Sequence, residues 1–195
     1  MKRIVLIALF LFLVLFDAYT YAHNIQKEIA DNVIRLHVIA NSDETADQEL
    51  KLKVRDAVLA YMREKNYSSR TIAYASLQEA LPQIKEIAQN TVIQNGYDYP
   101  VQAELGEFQF PQKDYNTLSF PSGTYTALRI TIGKASGHNW WCVMYPTLCF
   151  SDTTLADTTQ AENELKTSLS KETFAIISNN CKLKFKIVEL FQGNK

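Results

Sequence analysis

One stretch of the chain, from Gly137 to Cys149, restricts the possible folds more than any other. It holds both tryptophans and two of the three cysteines of the 195-residue sequence. In an extended strand from His138 to Tyr145, successive side chains point to opposite faces, so Trp140 and Trp141 fall on opposite sides. A strand that is apolar on both faces is either central in a covered sheet or keeps one face for a partner. Two core tryptophans are the simpler alternative, because Trp is highly buried on average.

The preceding segment, Tyr125 to Gly133, also alternates like a strand, with Leu128, Ile130 and Ile132 on one side. The connection from Lys134 to Gly137 has the length of a hairpin loop. We therefore predict that these two strands pair as a β-hairpin.

The first half of the chain predicts one strand followed by helices. Val33 to Ala40 is an apolar, β-rich strand, and Asn41-Ser42-Asp43 suit both a turn and the N-cap of a helix that reaches about Lys65. A second helical region covers Ser69 to Asn95, and Pro82 is predicted to kink it or mark a restart, since proline removes a helical hydrogen bond.

The second half predicts further strands with one helix. Tyr99 to Leu105 alternates as a strand, and the proline-bounded segment Phe108 to Phe120 favours a loop with some strand character. Ser151 to Thr159 is typical of a polar loop, Gln160 to Asn179 of a partly helical segment, and Lys182 to Val188 of a final edge strand. The order indicates an α+β fold: a single exported domain with a mixed or antiparallel sheet packed by two helices.

The N-terminus has the pattern of an export segment. Lys2 and Arg3 precede an unbroken apolar run from Ile4 to Phe16, and Thr20-Tyr21-Ala22 has small residues where a signal peptidase cleaves. The run is shorter than the roughly 18 residues expected of a span, but Ala18 to Ala22 could extend it into an uncleaved anchor. Cleavage and anchoring both remain open.

These patterns divide the chain into four segments. Residues 1–22 form a signal peptide or an uncleaved membrane anchor, and residues 23–32 a linker or short helix. Residues 33–150 form the α+β core domain, and residues 151–195 a polar loop, a helix and the final strand. The composition, 47% hydrophobic and 21% charged with a net charge of −1, is that of an ordinary globular domain. The balanced charge and the lack of a basic run argue against nucleic-acid binding.

The cysteines allow two interpretations. Export permits disulfides, and a chain reversal near Pro146 could bring Cys142 and Cys149 together, leaving Cys181 unpaired. The alternative is three buried thiols that act as small apolar side chains.

Catalytic motifs are weak in this sequence. Cys142 and His138 could act as nucleophile and base, but in one strand they lie about 13 Å apart. His37 could supply a base from another strand, so an exported Cys/His-dependent hydrolase stays as the alternative function. The sequence has no P-loop, no Gly-x-Ser-x-Gly motif, no aspartic-protease motif and no close His/Cys pair at a metal-binding spacing. We therefore predict no catalytic residue, no metal and no cofactor.

Two blocks of sequence resemble a known family. The first is Ile34 to Asp43, followed by Gln48 and the helix Leu50 to Asp56; the second is Gly137 to Val143 with Pro146, Leu148 and Cys149. Both resemble blocks of the stage II sporulation protein R family, and the resemblance covers roughly residues 33 to 150.

The resemblance implies a signalling function. Proteins of this family are exported from the forespore of endospore-forming bacteria into the space between the forespore and mother-cell membranes. There they trigger a membrane-embedded aspartic protease, which processes a sigma-factor precursor. It follows that the partner is the extracytoplasmic part of that protease, with membrane contact through the N-terminal segment if this is uncleaved.

The resemblance also suggests which side chains matter. The positions that match the family motifs include Asn41 and Asp43, which we expect to hold the fold as caps. The other matching positions, apart from Cys142, are the candidates for partner binding: Arg35, His37, His138, Asn139, Trp140 and Trp141.

Overall fold

The computed structural model describes residues 1–65, 67–115, 117–149 and 155–178, with the side chains of residues 155–158 excluded. Within these ranges the chain forms five helices and six strands. In chain order they are α1 Lys2–Asn32, β1 Ile34–Ile39, α2 Thr45–Arg63, α3 Arg70–Gln94, β2 Val101–Phe110, β3 Lys113–Tyr115, β4 Leu118–Phe120, β5 Gly123–Ile132, β6 Asn139–Tyr145, α4 Leu155–Ser168 and α5 Lys171–Ser178.

The main sheet has four strands in the order β2-β5-β1-β6, and β3 pairs with β4 in a small second sheet. Strand β1 runs parallel to β5 and antiparallel to β6, so the sheet is mixed. The predicted α+β class is confirmed.

The predicted hairpin between β5 and β6 is wrong, because β1 lies between these two strands. The connection from Gly133 to His138 crosses the end of β1 and does not join two neighbouring strands. There, Gly137 N donates to Ala40 O at 3.0 Å, and Ser136 N donates to Asn41 O at 3.2 Å. These two backbone N–H groups are thus hydrogen-bonded to the loop after β1, almost a hundred residues earlier in the chain, and not to a neighbouring hairpin strand.

Two apolar clusters cover the two faces of the sheet. Helices α2 and α3 pack on one face, against Leu36 and Val38 of β1 and Leu128 and Ile130 of β5; we call this the aliphatic face. Helices α1, α4 and α5, with β3 and β4, pack on part of the other face, which contains Arg35, His37 and several aromatic rings; we call this the aromatic face.

Three boundaries differ from the sequence-based expectation. Helix α3 runs through Pro82 without a break. This proline is exposed, as is Gln78 one turn earlier, so solvent can reach the carbonyl that loses its partner. Strand β2 extends to Phe110, directly before Pro111, which has no N–H to continue the ladder. Helix α4 begins at Leu155, inside the segment whose composition predicts a polar loop. The predicted final strand lies outside the described residues.

Candidate interaction surface at the exposed end of strand β6

The two sequence blocks that carry the family resemblance meet at one corner of the domain, where the loop after β1 contacts the connection before β6. The side chain of Asn41 accepts a hydrogen bond from Lys134 N at 3.0 Å, and its amide donates to Asp47 Oδ2 at 2.8 Å. A Cβ at Gly137 would clash with the carbonyl oxygen of Ser42, so the close approach requires glycine there. The corner is therefore held by specific polar contacts.

Asp43 and His138 form the exposed rim of this corner. Asp43 Oδ1 lies 2.5 Å from both the backbone N and the side-chain Nδ1 of His138. These hydrogen bonds lower the pKa of Asp43. The predicted capping role is wrong: the N-cap residue of α2 is Glu44, which makes no side-chain cap bond. Asn41 and Asp43 instead join the two loops, because their side chains point across the corner to the β5–β6 connection.

Trp140 lies on the aliphatic face and contacts helix α2. The guanidinium of Arg55 stacks 4.0 Å above its ring, and Arg55 is only 5% exposed. Next to it, Lys51 Nζ donates to the carbonyl of His138 at 3.0 Å. A cation held over an indole face in this way is favourable by about 0.5–2 kcal/mol. Helix α2 thereby supports the start of β6 with two positive charges.

Trp141 lies on the aromatic face and stacks on His37. The two rings are 3.7 Å apart at an interplanar angle of 19°, and Phe110 meets both rings edge-on. His37 Nε2 lies 3.0 Å from Asn139 Oδ1, while His37 Nδ1 is buried without a hydrogen-bond partner. Because the amide oxygen only accepts, the proton of a neutral ring is on Nε2.

Burial lowers the pKa of His37 to about 4, and the positive charges of Arg129 and Arg35 act in the same direction. The hydrogen bond to Asn139 opposes this shift but does not cancel it. His37 is therefore a neutral, packed imidazole at physiological pH. An unprotonated ring can stack closely on Trp141 without a desolvated charge.

The row of side chains continues across the sheet. Arg129 of β5 is opposite His37 in the parallel ladder, and Glu104 of β2 is opposite Arg129. Arg129 forms an ion pair with Glu104 and lies 4.1 Å above the ring of Phe108. The Arg129 and Glu104 side chains are 35% and 51% exposed. Across the aromatic face, the row from Trp141 to Glu104 therefore exposes both charged groups and half-buried aromatic rings to solvent.

Arg35, two residues before His37 in β1, lies on the same face and is fully buried. Its guanidinium is 4.2 Å from the centre of the Phe110 ring and 4.9 Å from that of Tyr125. Its Nη2 donates to Tyr115 Oη at 2.7 Å, and Nη1 has no hydrogen-bond partner. Arg35 therefore cannot contact a partner directly, and it can affect binding only by positioning the rings that enclose it.

Cys142 and Cys149 are joined by a disulfide, with Cα atoms 5.1 Å apart, and each is 2% exposed. The loop that the bond closes turns back on the outer edge of β6, where Leu148 N donates to Val143 O at 3.0 Å. Tyr115 Oη donates to Trp141 O at 3.1 Å. These contacts occupy part of an edge that could otherwise pair with another strand. They leave the first residues of β6 as its open end.

The candidate residues therefore separate into three environments. His138 and Asn139 are exposed, Trp140 and Trp141 are half-buried on opposite faces, and Arg35 and His37 are interior. Sequence reasoning missed Arg55 and Lys51, which support the surface from α2. The helical stripe that buries Val54 and Val58 gave a signal for them, since Lys51 and Arg55 precede these residues by three and fall on the adjacent flank.

Other parts of the structure offer less as a functional site. A cleft of about 320 Å³ lies between α2, β6 and α4, lined by residues that include Met62, Tyr67, Tyr145 and Glu164. It contains none of the candidate residues. Among the residues that the structure describes, no group of three or more His, Cys, Asp or Glu side chains could hold a metal ion.

Fold and surface together define a class: an α+β domain that follows an apolar N-terminal helix and carries an exposed strand end with two tryptophans. The model of the stage II sporulation protein R family matches residues 30–155. The chain is also similar to stage II sporulation protein R of Bacillus subtilis (strain 168), with 34% identity over 190 residues, covering 92% of this chain and 84% of that protein. No solved structure matches. The chain belongs to the stage II sporulation protein R family, and this membership supports a role in sporulation signalling.

Proposed function

We propose that this protein is an exported signal of endospore formation that binds the extracytoplasmic part of a membrane-embedded aspartic protease. Binding activates the protease, which then processes the precursor of a mother-cell sigma factor. The site of action is the space between the forespore and mother-cell membranes. The protein itself performs no chemistry in this scheme, because a ligand that binds the active state of its partner more tightly than the inactive state shifts the equilibrium.

The observation that carries this proposal is the meeting of both family blocks at the start of β6. Asn41 joins the β1–α2 loop to the β5–β6 connection, and the exposed side chains of His138 and Asn139 lie where the two blocks touch. Trp140 and Trp141 flank them, one on each face. Aromatic and arginine side chains most often carry the energy of a protein interface. A surface held by so many internal contacts is also preorganised for binding.

Reconstituted processing tests this proposal. The full chain, the candidate protease and the sigma-factor precursor are expressed together in a non-sporulating host, and precursor cleavage is measured by immunoblot. We expect cleavage to depend on this protein. His138→Ala and Asn139→Ala together, or Trp141→Ala, remove contact groups, and loss of one interface hot spot weakens binding by about 2 kcal/mol, or about thirtyfold.

Tyr74→Ala is the matched control for Trp141→Ala, since Tyr74 is also a half-buried aromatic side chain but lies on α3. It should leave processing unchanged while causing a similar loss of packing. Urea denaturation of each variant separates a lost contact from a lost fold. Processing that does not require this protein, or equal losses for both variants at equal stability, would refute the proposal.

The structure opposes the alternative, an exported hydrolase that uses Cys142. Its sulfur is bonded to Cys149, so it is not available as a thiolate nucleophile. Cys142 is opposite Leu36 on the aliphatic face, whereas His37 lies on the aromatic face. With His37 as the base, nucleophile and base would therefore be separated by the sheet.

A further inference from the structure

Helix α1 has two parts with opposite environments. Its residues 2–19 are exposed, and its most apolar 18-residue stretch has no buried residue. Residues 4–21, which include one charged residue, Asp17, near the C-terminal end, would span about 27 Å as a helix, close to the roughly 30 Å hydrocarbon core of a bilayer. Lys2 and Arg3 precede this segment, and Tyr19 and Tyr21 end it. Such flanks are typical of the inner and outer interfaces of a membrane-spanning helix.

The second part of α1 belongs to the domain, and no break separates the two parts. Ile25 and Ile29 are buried in the core of the aromatic face. Glu28 accepts a hydrogen bond from Ser170 N at 2.5 Å, at the start of α5. Burial alone would raise the pKa of Glu28, but its hydrogen bonds from Thr173 and Ser170 lower it. The helix is thus attached to the domain along its final two turns.

Tyr21 extends this attachment to the edge of the apolar segment. Its hydroxyl donates to Glu172 Oε1 of α5 at 2.6 Å. The domain therefore starts directly where the apolar segment ends, with no flexible linker between them.

Contacts along the helix give its direction relative to the sheet. Val33, directly after α1, accepts a hydrogen bond from Arg70, which also reaches Thr126 of β5. Gln26, two turns earlier, donates to Thr124 O, which is nearer the start of β5. Towards its N-terminus, α1 therefore runs past the start of β5 and away from the rest of that strand.

The interaction surface lies at the other end of the same strands. Asn139 is opposite Ile39 of β1, and Ile39 is opposite Thr131 of β5. Thr131 is seven residues beyond Thr124, which corresponds to about 23 Å along the strand. The apolar segment and the start of β6 are thus at opposite ends of the domain.

We propose that α1 remains in the lipid bilayer and that the domain presents the start of β6 away from that membrane. This inference rests on the proposed function for the identity of the binding surface. It adds that the chain stays anchored and that its binding surface points away from its own membrane.

Intrinsic fluorescence tests the orientation, because Trp140 and Trp141 are the only tryptophans in the sequence. The full chain is reconstituted into phosphatidylcholine vesicles with and without lipids that carry a nitroxide on the headgroup. Quenching by the nitroxide falls steeply with distance, so the emission of the native chain should be almost the same in both vesicles. Tyr21→Trp, which adds an indole at the expected membrane surface, should introduce a strongly quenched component.

Two outcomes would overturn the inference. Strong quenching of the native tryptophans would show that the start of β6 faces its own membrane. Release of the full chain from host membranes by alkaline carbonate, or its recovery with an N-terminus at His23, would show that α1 does not anchor it. Neither assay contains the protease, so failure here is distinguishable from failure of the processing assay.

Discussion

Leu36 and Arg35 are neighbours in β1, and both are fully buried, but they point into opposite faces of the sheet. Leu36 lies among aliphatic side chains under α2 and α3. Arg35 lies among aromatic rings, beside a row that ends in half-exposed side chains. Helices α2 and α3 cover the β1 and β5 residues of the aliphatic face, whereas on the aromatic face the row Trp141, Arg129 and Glu104 is partly exposed. The comparison teaches that β1 contributes only aliphatic side chains to one face, while to the other it contributes polar groups that a stable core does not need.

The largest effect is expected from the aliphatic face. Leu128→Ala removes a fully buried side chain from the centre of the sheet and should lower the free energy of unfolding by about 2–5 kcal/mol. Urea denaturation followed by circular dichroism measures this loss. Thr131→Ala, in the same strand on the aromatic face, is the matched control and should cost less than about 1 kcal/mol. Equal losses for the two variants would remove the distinction between the faces.

Removal of the disulfide should also have a large effect. Cys142 and Cys149 are separated by seven residues, so the bond closes a short loop. The chain-entropy model gives about 2–3 kcal/mol of stability for a loop of this size. Cys142→Ala with Cys149→Ala should show this loss in urea, and added reductant should destabilise the native chain but not the variant. If the reductant changed neither protein, the bond would contribute nothing to folding.

Substitutions at Arg35 sharpen the comparison within a single position. Arg35→Met keeps most of the side-chain volume and removes a buried guanidinium, whose Nη1 has no hydrogen-bond partner. The free energy of unfolding should therefore change by less than about 1 kcal/mol. Arg35→Ala leaves a cavity among the rings and should cost about 2–4 kcal/mol. If Arg35→Met is as damaging as Arg35→Ala, the charge itself stabilises the aromatic face.

Substitution of His37 should change the free energy of unfolding least at neutral pH, and its effect should appear only in acid. The folded-state pKa of about 4 is below the unfolded value near 6.5, so the unfolded chain binds the proton first. The contribution of His37 is complete above about pH 6.5 and is lost as the pH falls towards 4. His37→Phe should keep a ring against Trp141 and reduce this loss in thermal denaturation. An imidazole that titrates near 6.5 by NMR would contradict the assignment.

Local patterns predicted much of this fold. Alternation along β6 correctly separated Trp140 from Trp141. The strand order could not be predicted, because the pairing of β1 with β5 and β6 joins segments far apart in the sequence, and no local pattern encodes such partners. The burial of Arg35 also escaped prediction, since only the assembled rings of Phe110 and Tyr125 make its position favourable.

The candidate site likewise combines features that local sequence patterns predict with features that depend on distant segments. Its residues were found because they are unusual in type and closely spaced, but their surroundings depend on other segments. Asp43 was expected to cap a helix, the common use of this residue after a strand. It contacts His138 instead, and that contact exists only when residues 95 positions apart are brought together.

The order of the strands also bears on how such a chain can cross a membrane. Strand β1 lies inside the sheet, but Arg35 pairs with Ala127, 92 residues later, and Glu28 meets Ser170, which is 142 residues later. If translocation starts at the N-terminus, β1 has no partner until most of the domain has emerged. The main sheet therefore cannot assemble around β1 while the chain is still inside a narrow channel. Folding is completed by the arrival of the last segments, on the far side.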